Sequence, residues 1–131
     1  MEGDSDRWAH LDIYEQKLTA KVREEYDQIM DNNQDILGIA AQYEISEIDI
    51  RRAKDYAFGS GVSRYQFFPE GLMVAAWRRL AGAQGNNLDR MFLNHEIYES
   101  DLVINRGFSQ QQAHLLAQKQ YPWSDSIQQT R

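Results

Sequence analysis

The chain has no cysteine among its 131 residues, which excludes disulfides and thiolate metal sites. Any bound metal ion would therefore take its ligands from histidine and carboxylate side chains. The sequence also lacks an apolar run long enough for a signal peptide or a membrane-spanning helix. We therefore expect a soluble protein with no membrane partner, an expectation that does not exclude delivery by a carrier.

The composition is that of a globular domain. Hydrophobic residues make up 42% of the chain, with three tryptophans, seven tyrosines and five phenylalanines. This content favours a folded protein over a disordered one. The net charge of −6 is unevenly distributed, because residues 1–50 hold thirteen acidic and four basic side chains while residues 51–131 hold seven and ten. Two functional halves and an ordinary solvated surface both fit this asymmetry.

Apolar side chains recur at helical spacing along nearly the whole chain. The first predicted helix runs from residue 5 or 6 to about residue 30, and further helices are predicted over residues 35–43, 46–58, 69–81, 87–106 and 109–120. This pattern predicts an all-α, compact bundle of about six helices with one glycine-rich, non-helical loop near residues 59–68. The predicted organisation is an acidic amphipathic helix or linker (1–34), a helical domain (35–123) and a polar tail (124–131).

Three ionisable residues of the predicted helix over 87–106 lie where acidic side chains are rarely found. At helical spacing His95 and Glu99 share the middle of the apolar face, and Glu96 lies at its border. Acidic side chains are almost never buried without a partner, because desolvating the charge is costly. The cluster therefore predicts a site.

Three chemistries fit this cluster. Imidazole and carboxylate can bind a divalent metal ion of unknown identity, for which His95, Glu96 and Glu99 are the candidate ligands. The same groups can act as a general acid–base pair, or form a buried structural network closed by an arginine. The related zinc motif His-Glu-x-x-His has histidine where this chain has Glu99. That difference favours acid–base or hard-metal chemistry over zinc.

His114 is a candidate fourth member of the cluster. It lies at the border of the apolar arc of the predicted helix over 109–120, and the short turn at Gly107 makes this helix antiparallel to the preceding one. His95 and His114 would then be roughly 7 Å apart along the helix axes, a gap that side chains can close. A structural role at the helix border is the alternative. We assign no role to His10.

Basic side chains supply the counterpart that a phosphodiester substrate requires. Lys54, Arg64 and Arg78 are the candidate substrate-binding residues, and Arg64 is followed by aromatic residues at 65, 67 and 68. Arginine beside aromatic rings suits single-stranded nucleic acid, where cations bind phosphates and rings stack on bases. The alternative is that these aromatic side chains simply fill the core.

The spacing of these residues resembles a known signature. The segment Asn87-Leu-Asp-Arg-Met-Phe-Leu-Asn-His95-Glu96-Ile-Tyr-Glu99-Ser, followed by Gly107 and by Gln112-Ala113-His114 through Tyr121, resembles the C-terminal effector modules of bacterial polymorphic toxins. Such modules also occur attached to phage-derived proteins. Residues 53–59 and 69–80 resemble the upstream part of the module, so the resemblance covers about residues 50–123.

The resemblance implies a small secreted nuclease, neutralised by a cognate immunity protein and delivered by a secretion system into the cytoplasm of a target cell. It assigns catalysis to His95, Glu96, Glu99 and His114, with Lys54 and Arg64 on the phosphate side. We expect RNA rather than DNA to be cleaved, with His95 or His114 as general base or acid and Glu99 orienting it or supplying the second proton step. Two alternatives stay open: a metal-dependent hydrolase of peptide or cell wall, and a helical interaction or phage-derived adaptor module whose His/Glu network is structural.

Overall fold

The computed structural model describes residues 7–129, and all regular secondary structure within this range is helical. It comprises nine α-helices: α1 (Ile13–Leu18), α2 (Ala20–Asp31), α3 (Gln34–Tyr43), α4 (Glu47–Phe58), α5 (Ser60–Arg64), α6 (Gly71–Ala81), α7 (Asn87–Ser100), α8 (Gln110–Gln120) and α9 (Trp123–Gln129). The predicted all-α class is confirmed, and the number of helices exceeds the predicted six. The predicted helix start at residue 5 or 6 and the last two residues of the predicted tail lie outside the described range.

The first predicted helix begins only at Ile13, because residues 7–12 are not helical, and it is divided in two at Thr19. The hydroxyl of Thr19 donates a hydrogen bond to the carbonyl oxygen of Glu15 at 2.6 Å, a side-chain-to-backbone bond that competes with regular helix geometry. Thr19 has φ −105° and ψ 7°, outside the helical region, and serves both as the C-cap of α1 and the N-cap of α2. A hydrophobic repeat continues across such a break, so the repeat alone did not reveal it.

The predicted non-helical loop near 59–68 is wrong over residues 60–64, which form α5. The backbone amide of Ser60 donates to the Asp55 carboxylate at 3.2 Å, and this contact holds the start of the short helix. Gly61 is required there, because a Cβ atom would lie 2.1 Å from the carbonyl oxygen of Tyr56. The glycines of this segment therefore permit close packing of α5 on α4, while Gly59 and residues 65–70 lack regular structure.

The predicted helix over 87–106 changes character after Ser100. Residues Asp101–Asn105 form a π-helical turn, in which the amide of Arg106 donates to the carbonyl oxygen of Asp101 at 3.2 Å. Such turns insert an extra residue per turn and are frequent next to functional sites. Gly107 ends the element with φ 75°, and Ser109 then caps α8, with its hydroxyl accepting from the amide of Gln112.

The main core, which is rich in aromatic side chains, lies between the helices, and a smaller cluster forms around Tyr56, Leu102, Val103 and Ala113. Phe58 at the end of α4 contacts Tyr26 of α2, Trp77 of α6 and Phe92 of α7, with ring centroids 4.9–6.4 Å apart. Residues on both sides of position 34 therefore share one core, and Trp123 of α9 packs on Phe92 within it. The division into 1–34, 35–123 and 124–131 stays a prediction about how the segments are used. No helix among the described residues is long and apolar enough to cross a membrane.

Lys54 is buried in this core rather than presented to solvent. Its ammonium group contacts Asp35 at 2.9 Å and donates to the carbonyl oxygen of Asn32, and the second oxygen of Asp35 accepts from the indole of Trp77 at 2.9 Å. The Lys54 and Asp35 side chains are 3% and 1% exposed. Each charge is therefore compensated only by the other and by these hydrogen bonds.

We expect Lys54→Ala to lower the free energy of unfolding by about 3–5 kcal/mol, because it leaves the Asp35 carboxylate buried without a cation. Urea denaturation followed by circular dichroism measures this loss. Arg51→Ala is the matched control, since Arg51 is an exposed cation on the same helix and its loss should change stability by less than about 0.5 kcal/mol. Equal stability of the two variants would contradict a structural role for Lys54.

Candidate functional site

Two antiparallel helices bring the predicted catalytic residues to one wall of a cavity. His95, Glu96 and Glu99 come from α7 and His114 from α8, and all four line a cavity of about 290 Å³. Aromatic side chains form much of the remaining lining: Tyr26, Tyr56, Phe67, Phe68 and Trp123. A largely apolar cavity with a few convergent polar groups is the usual form of a small-molecule or active site.

Glu99 is the centre of the cluster. One carboxylate oxygen, Oε1, lies 2.9 Å from Nε2 of His95 and 3.1 Å from Nδ1 of His114. The other oxygen, Oε2, accepts a hydrogen bond from the hydroxyl of Tyr56 at 2.5 Å. Glu99 is 3% exposed, so these three partners replace the water that an exposed carboxylate would bind. The predicted convergence of the two histidines on Glu99 is therefore present as geometry.

A backbone hydrogen bond on the side of the ring away from Glu99 fixes the orientation of His95. Its Nδ1 lies 3.0 Å from the backbone carbonyl oxygen of Tyr121, and a carbonyl oxygen can only accept. Nδ1 therefore carries a hydrogen, and Nε2 is the nitrogen that faces Glu99. His95 is 6% exposed. Its ring is therefore largely shielded from solvent and contacts the other members of the cluster.

His114 lies at the mouth of the cavity. Its side chain is 48% exposed while that of Glu99 behind it is 4% exposed. Phe68, which also lines the cavity, is 52% exposed. The cluster is therefore accessible from solvent along the His114 side, which a wholly structural network does not require.

The surroundings of Glu96 and Glu99 shift the pKa values of these two carboxyl groups in opposite directions. Burial alone would raise the pKa of Glu99, but hydrogen bonds from His114, His95 and Tyr56 outweigh burial and lower it to about 2. Burial, and then the negative charge of Glu99, raise the pKa of Glu96 to about 8. Burial opposes protonation of His95, yet its hydrogen bond to Glu99 and the charge of Glu96 give a net raised pKa. Burial, followed by the charge of Glu99, also raises the pKa of the Tyr56 hydroxyl.

The three predicted substrate-binding residues lie apart from this cavity. Lys54 is in the buried pair with Asp35 described above. Arg78 is exposed and contacts Glu25 at 2.7 Å. The exposed Arg64 places its guanidinium 5.3 Å from the centroid of the Tyr65 ring. None of the three is among the residues that line the cavity.

Tyr56 is the member of the cluster that sequence reasoning missed. It lies on the buried face of α4 and packs against the rings of Tyr65 and Phe67 at 5.5 and 5.3 Å. In the sequence it reads as one more apolar position of an amphipathic helix. Its hydroxyl and the Tyr121 carbonyl complete the network, and no arginine contacts the cluster among the described residues.

Metal-ligating atoms are also close together. His95, Glu99 and His114 each offer one metal-ligating atom, and these three atoms lie within 4.8 Å of one another. Glu96 is outside this set. The arrangement can hold shared protons in an acid–base network or a divalent cation.

We expect Tyr56→Phe to lower the free energy of unfolding by about 1.5–3 kcal/mol, the usual contribution of a hydrogen bond to a charged group. The helix content should stay unchanged, as measured by far-ultraviolet circular dichroism beside chemical denaturation. Tyr14→Phe provides the control, because Tyr14 is 75% exposed and its hydroxyl should contribute little. A Tyr56→Phe protein as stable as wild type would mean that Glu99 does not depend on this donor.

The chain was compared with known proteins at three levels. No protein-family model matches it, no curated protein matches it, and no solved structure matches it. The chemistry of the cavity is therefore inferred from its own side chains.

Proposed function

We propose that this chain is a hydrolytic effector of the polymorphic-toxin kind and that nucleic acid is its substrate. The observation that carries the proposal is the convergence of His95, Glu96, Glu99 and His114 on one wall of a solvent-accessible cavity. Hydrolysis needs an activated water molecule and a protonated leaving group. Two imidazoles and two carboxyls in contact with one cavity supply groups for both steps.

The two histidines have different roles in this proposal. Both ring nitrogens of His95 are engaged, with Tyr121 and with Glu99, so His95 acts as a positioning residue. His114 is half-exposed at the mouth, so it is the histidine that a bound substrate reaches first. Glu99 holds both rings, and Glu96 borders the same space.

Nucleic acid is favoured by the resemblance to toxin effectors and by the lining of the cavity. Phe67, Phe68 and Trp123 line the cavity, and aromatic rings are the groups on which bases stack in single-strand binding proteins. We favour RNA over DNA as the substrate, because the unpaired bases of RNA can enter such a cavity without opening of a duplex. The proposal includes delivery into a target cell by a secretion system and neutralisation by a cognate immunity protein.

A second candidate follows from the charges at the cavity. Its described lining contains three glutamates, Glu70, Glu96 and Glu99, and no lysine or arginine. A phosphodiester brings further negative charge, whereas a peptide or cell-wall bond does not. Hydrolysis of an uncharged amide or glycan is therefore the alternative reaction. In a third reading the cluster is structural and the chain is a helical adaptor.

We expect inducible expression of the wild type in a bacterial cytoplasm to arrest growth and degrade RNA. His114→Ala and Glu99→Gln should relieve the arrest, and in purified protein His114→Ala should slow cleavage about 10²- to 10⁴-fold, the usual effect of a positioned proton-transfer group. Growth curves, gels of total RNA and DNA, and timed cleavage of a labelled oligonucleotide measure these effects. Lys119→Ala, at an exposed cation of the same helix, should leave arrest and cleavage unchanged.

Each other outcome identifies an alternative. Arrest with intact RNA and DNA would contradict the nuclease and favour the peptide or cell-wall hydrolase. Soluble wild-type protein that causes no arrest would favour the adaptor, as would a Glu99→Gln variant that loses stability but no activity.

A further inference from the structure

Three metal-ligating atoms at the cavity wall are spaced nearly as a metal site requires. Zinc binds nitrogen and carboxylate oxygen at about 2.0–2.2 Å, which places neighbouring ligands of a tetrahedron about 3.3–3.5 Å apart. Oε1 of Glu99 lies 2.9 Å from Nε2 of His95 and 3.1 Å from Nδ1 of His114. One ligand atom from each of the three residues lies within 4.8 Å of the others. Binding an ion would widen both distances from Oε1 by a few tenths of an ångström, which requires small shifts of the Glu99, His95 and His114 side chains.

We propose that His95, Glu99 and His114 form a binding site for a zinc-class divalent ion, with the fourth ligand position open to the cavity. Three protein ligands and one open position distinguish catalytic zinc sites from structural ones, and two histidines with one glutamate are an established donor set for them. Metal binding in this site does not depend on the substrate.

The first independent support for a metal site is the hydrogen-bond partner of Nδ1 of His95. A metal-ligating histidine almost always donates its other ring N–H to a carbonyl or carboxylate, which fixes the tautomer and aims the lone pair. Nδ1 of His95 donates in this way to the carbonyl oxygen of Tyr121. Nε2 is therefore the atom presented to the site, at the position where an imidazole lone pair can bind an ion.

The second support for a metal site is the hydrogen-bond partner of Oε2 of Glu99. The Tyr56 hydroxyl occupies Oε2 and leaves Oε1 directed at the two histidines. Ligating carboxylates are commonly held by such a hydrogen bond. Each ligand that is buried thus has its own fixing partner, and only His114, at the entrance, lacks a described one.

The charge of the cavity is the third support. The carboxylate of Glu99 lines it, and no lysine or arginine does so among the described residues. A divalent ion would compensate this negative charge and supply the positive charge that a phosphodiester needs. It would also lower the pKa of a bound water toward about 7. This inference rests on the proposed hydrolysis at the same site and changes the role of His114 there from proton transfer to metal binding.

The sequence motif concealed this site, because zinc enzymes of the His-Glu-x-x-His type take both histidines from one helix. Here the fourth residue after His95 is Glu99, and the second imidazole comes from the neighbouring helix α8. The donor set is thereby complete although the spacing in α7 is not. Glu96 follows His95 directly, yet its carboxylate is outside the group of convergent donor atoms.

The test is zinc binding to the tag-free full chain after chelator treatment and dialysis. Titration calorimetry with Zn²⁺ alone, and metal analysis after gel filtration, should give one ion per wild-type chain. His114→Ala should weaken binding by at least about tenfold, and this partly exposed position should tolerate the change without unfolding. Tyr56→Phe should weaken binding about 10- to 100-fold through loss of the group behind Glu99.

Two matched variants control for non-specific binding. Glu47→Gln removes an exposed carboxylate that does not line the cavity, and His10→Ala removes the imidazole outside the cluster. Both should bind zinc as the wild type does. Visible absorption of the Co²⁺ form should show tetrahedral coordination in the wild type and in these controls, and should lose it in His114→Ala.

Absence of zinc binding to the folded wild type would overturn the site, whatever the growth assay gives. So would equal affinities of the wild type and His114→Ala. One bound zinc that depends on His114, without hydrolysis of any nucleic acid, would support the metal site and count against the nuclease alone. Metal binding and hydrolysis can thus fail separately.

Discussion

The Glu99 carboxylate is buried, carries a low pKa and is held by side chains of three helices. Tyr56 reaches it from α4, His95 from α7 itself and His114 from α8. Removing Tyr56 or His95 would leave this buried charge less compensated, which is costly. The positions of these helices are therefore coupled through one pair of oxygen atoms, and the cavity beside those atoms takes its shape from the same contacts.

Local signals predicted the helical elements well where caps and periodicity agreed. Ser46 and Ser109 cap α4 and α8, which begin where helices were predicted over 46–58 and 109–120, and Gly107 ends the element before α8. The errors arose where a side chain overrides the repeat. At Thr19 the helix is interrupted although the hydrophobic pattern continues, and the hydroxyl of Thr19 bonds to the backbone there. In the glycine-rich stretch, the Asp55 carboxylate accepts a hydrogen bond from the start of a short helix.

The candidate site was predictable only as far as helix geometry reaches. The spacing of four residues placed His95 and Glu99 on one face, and the antiparallel turn placed His114 near them. Tyr56 joins from a helix 43 residues away in sequence, which no periodicity reveals. Lys54 illustrates the same limit, because its burial against Asp35 depends on how α3 packs on α4.

The backbone attachment of His95 has a consequence for how this protein can vary. The carbonyl oxygen that orients its ring belongs to residue 121, and every amino acid offers that atom. Substitutions at this position can therefore accumulate without loss of the ring's orientation, provided the chain leaves α8 along the same path. Shortening or lengthening the α8–α9 connection, by contrast, would move the acceptor. Selection on this feature would act on insertions and deletions rather than on residue identity.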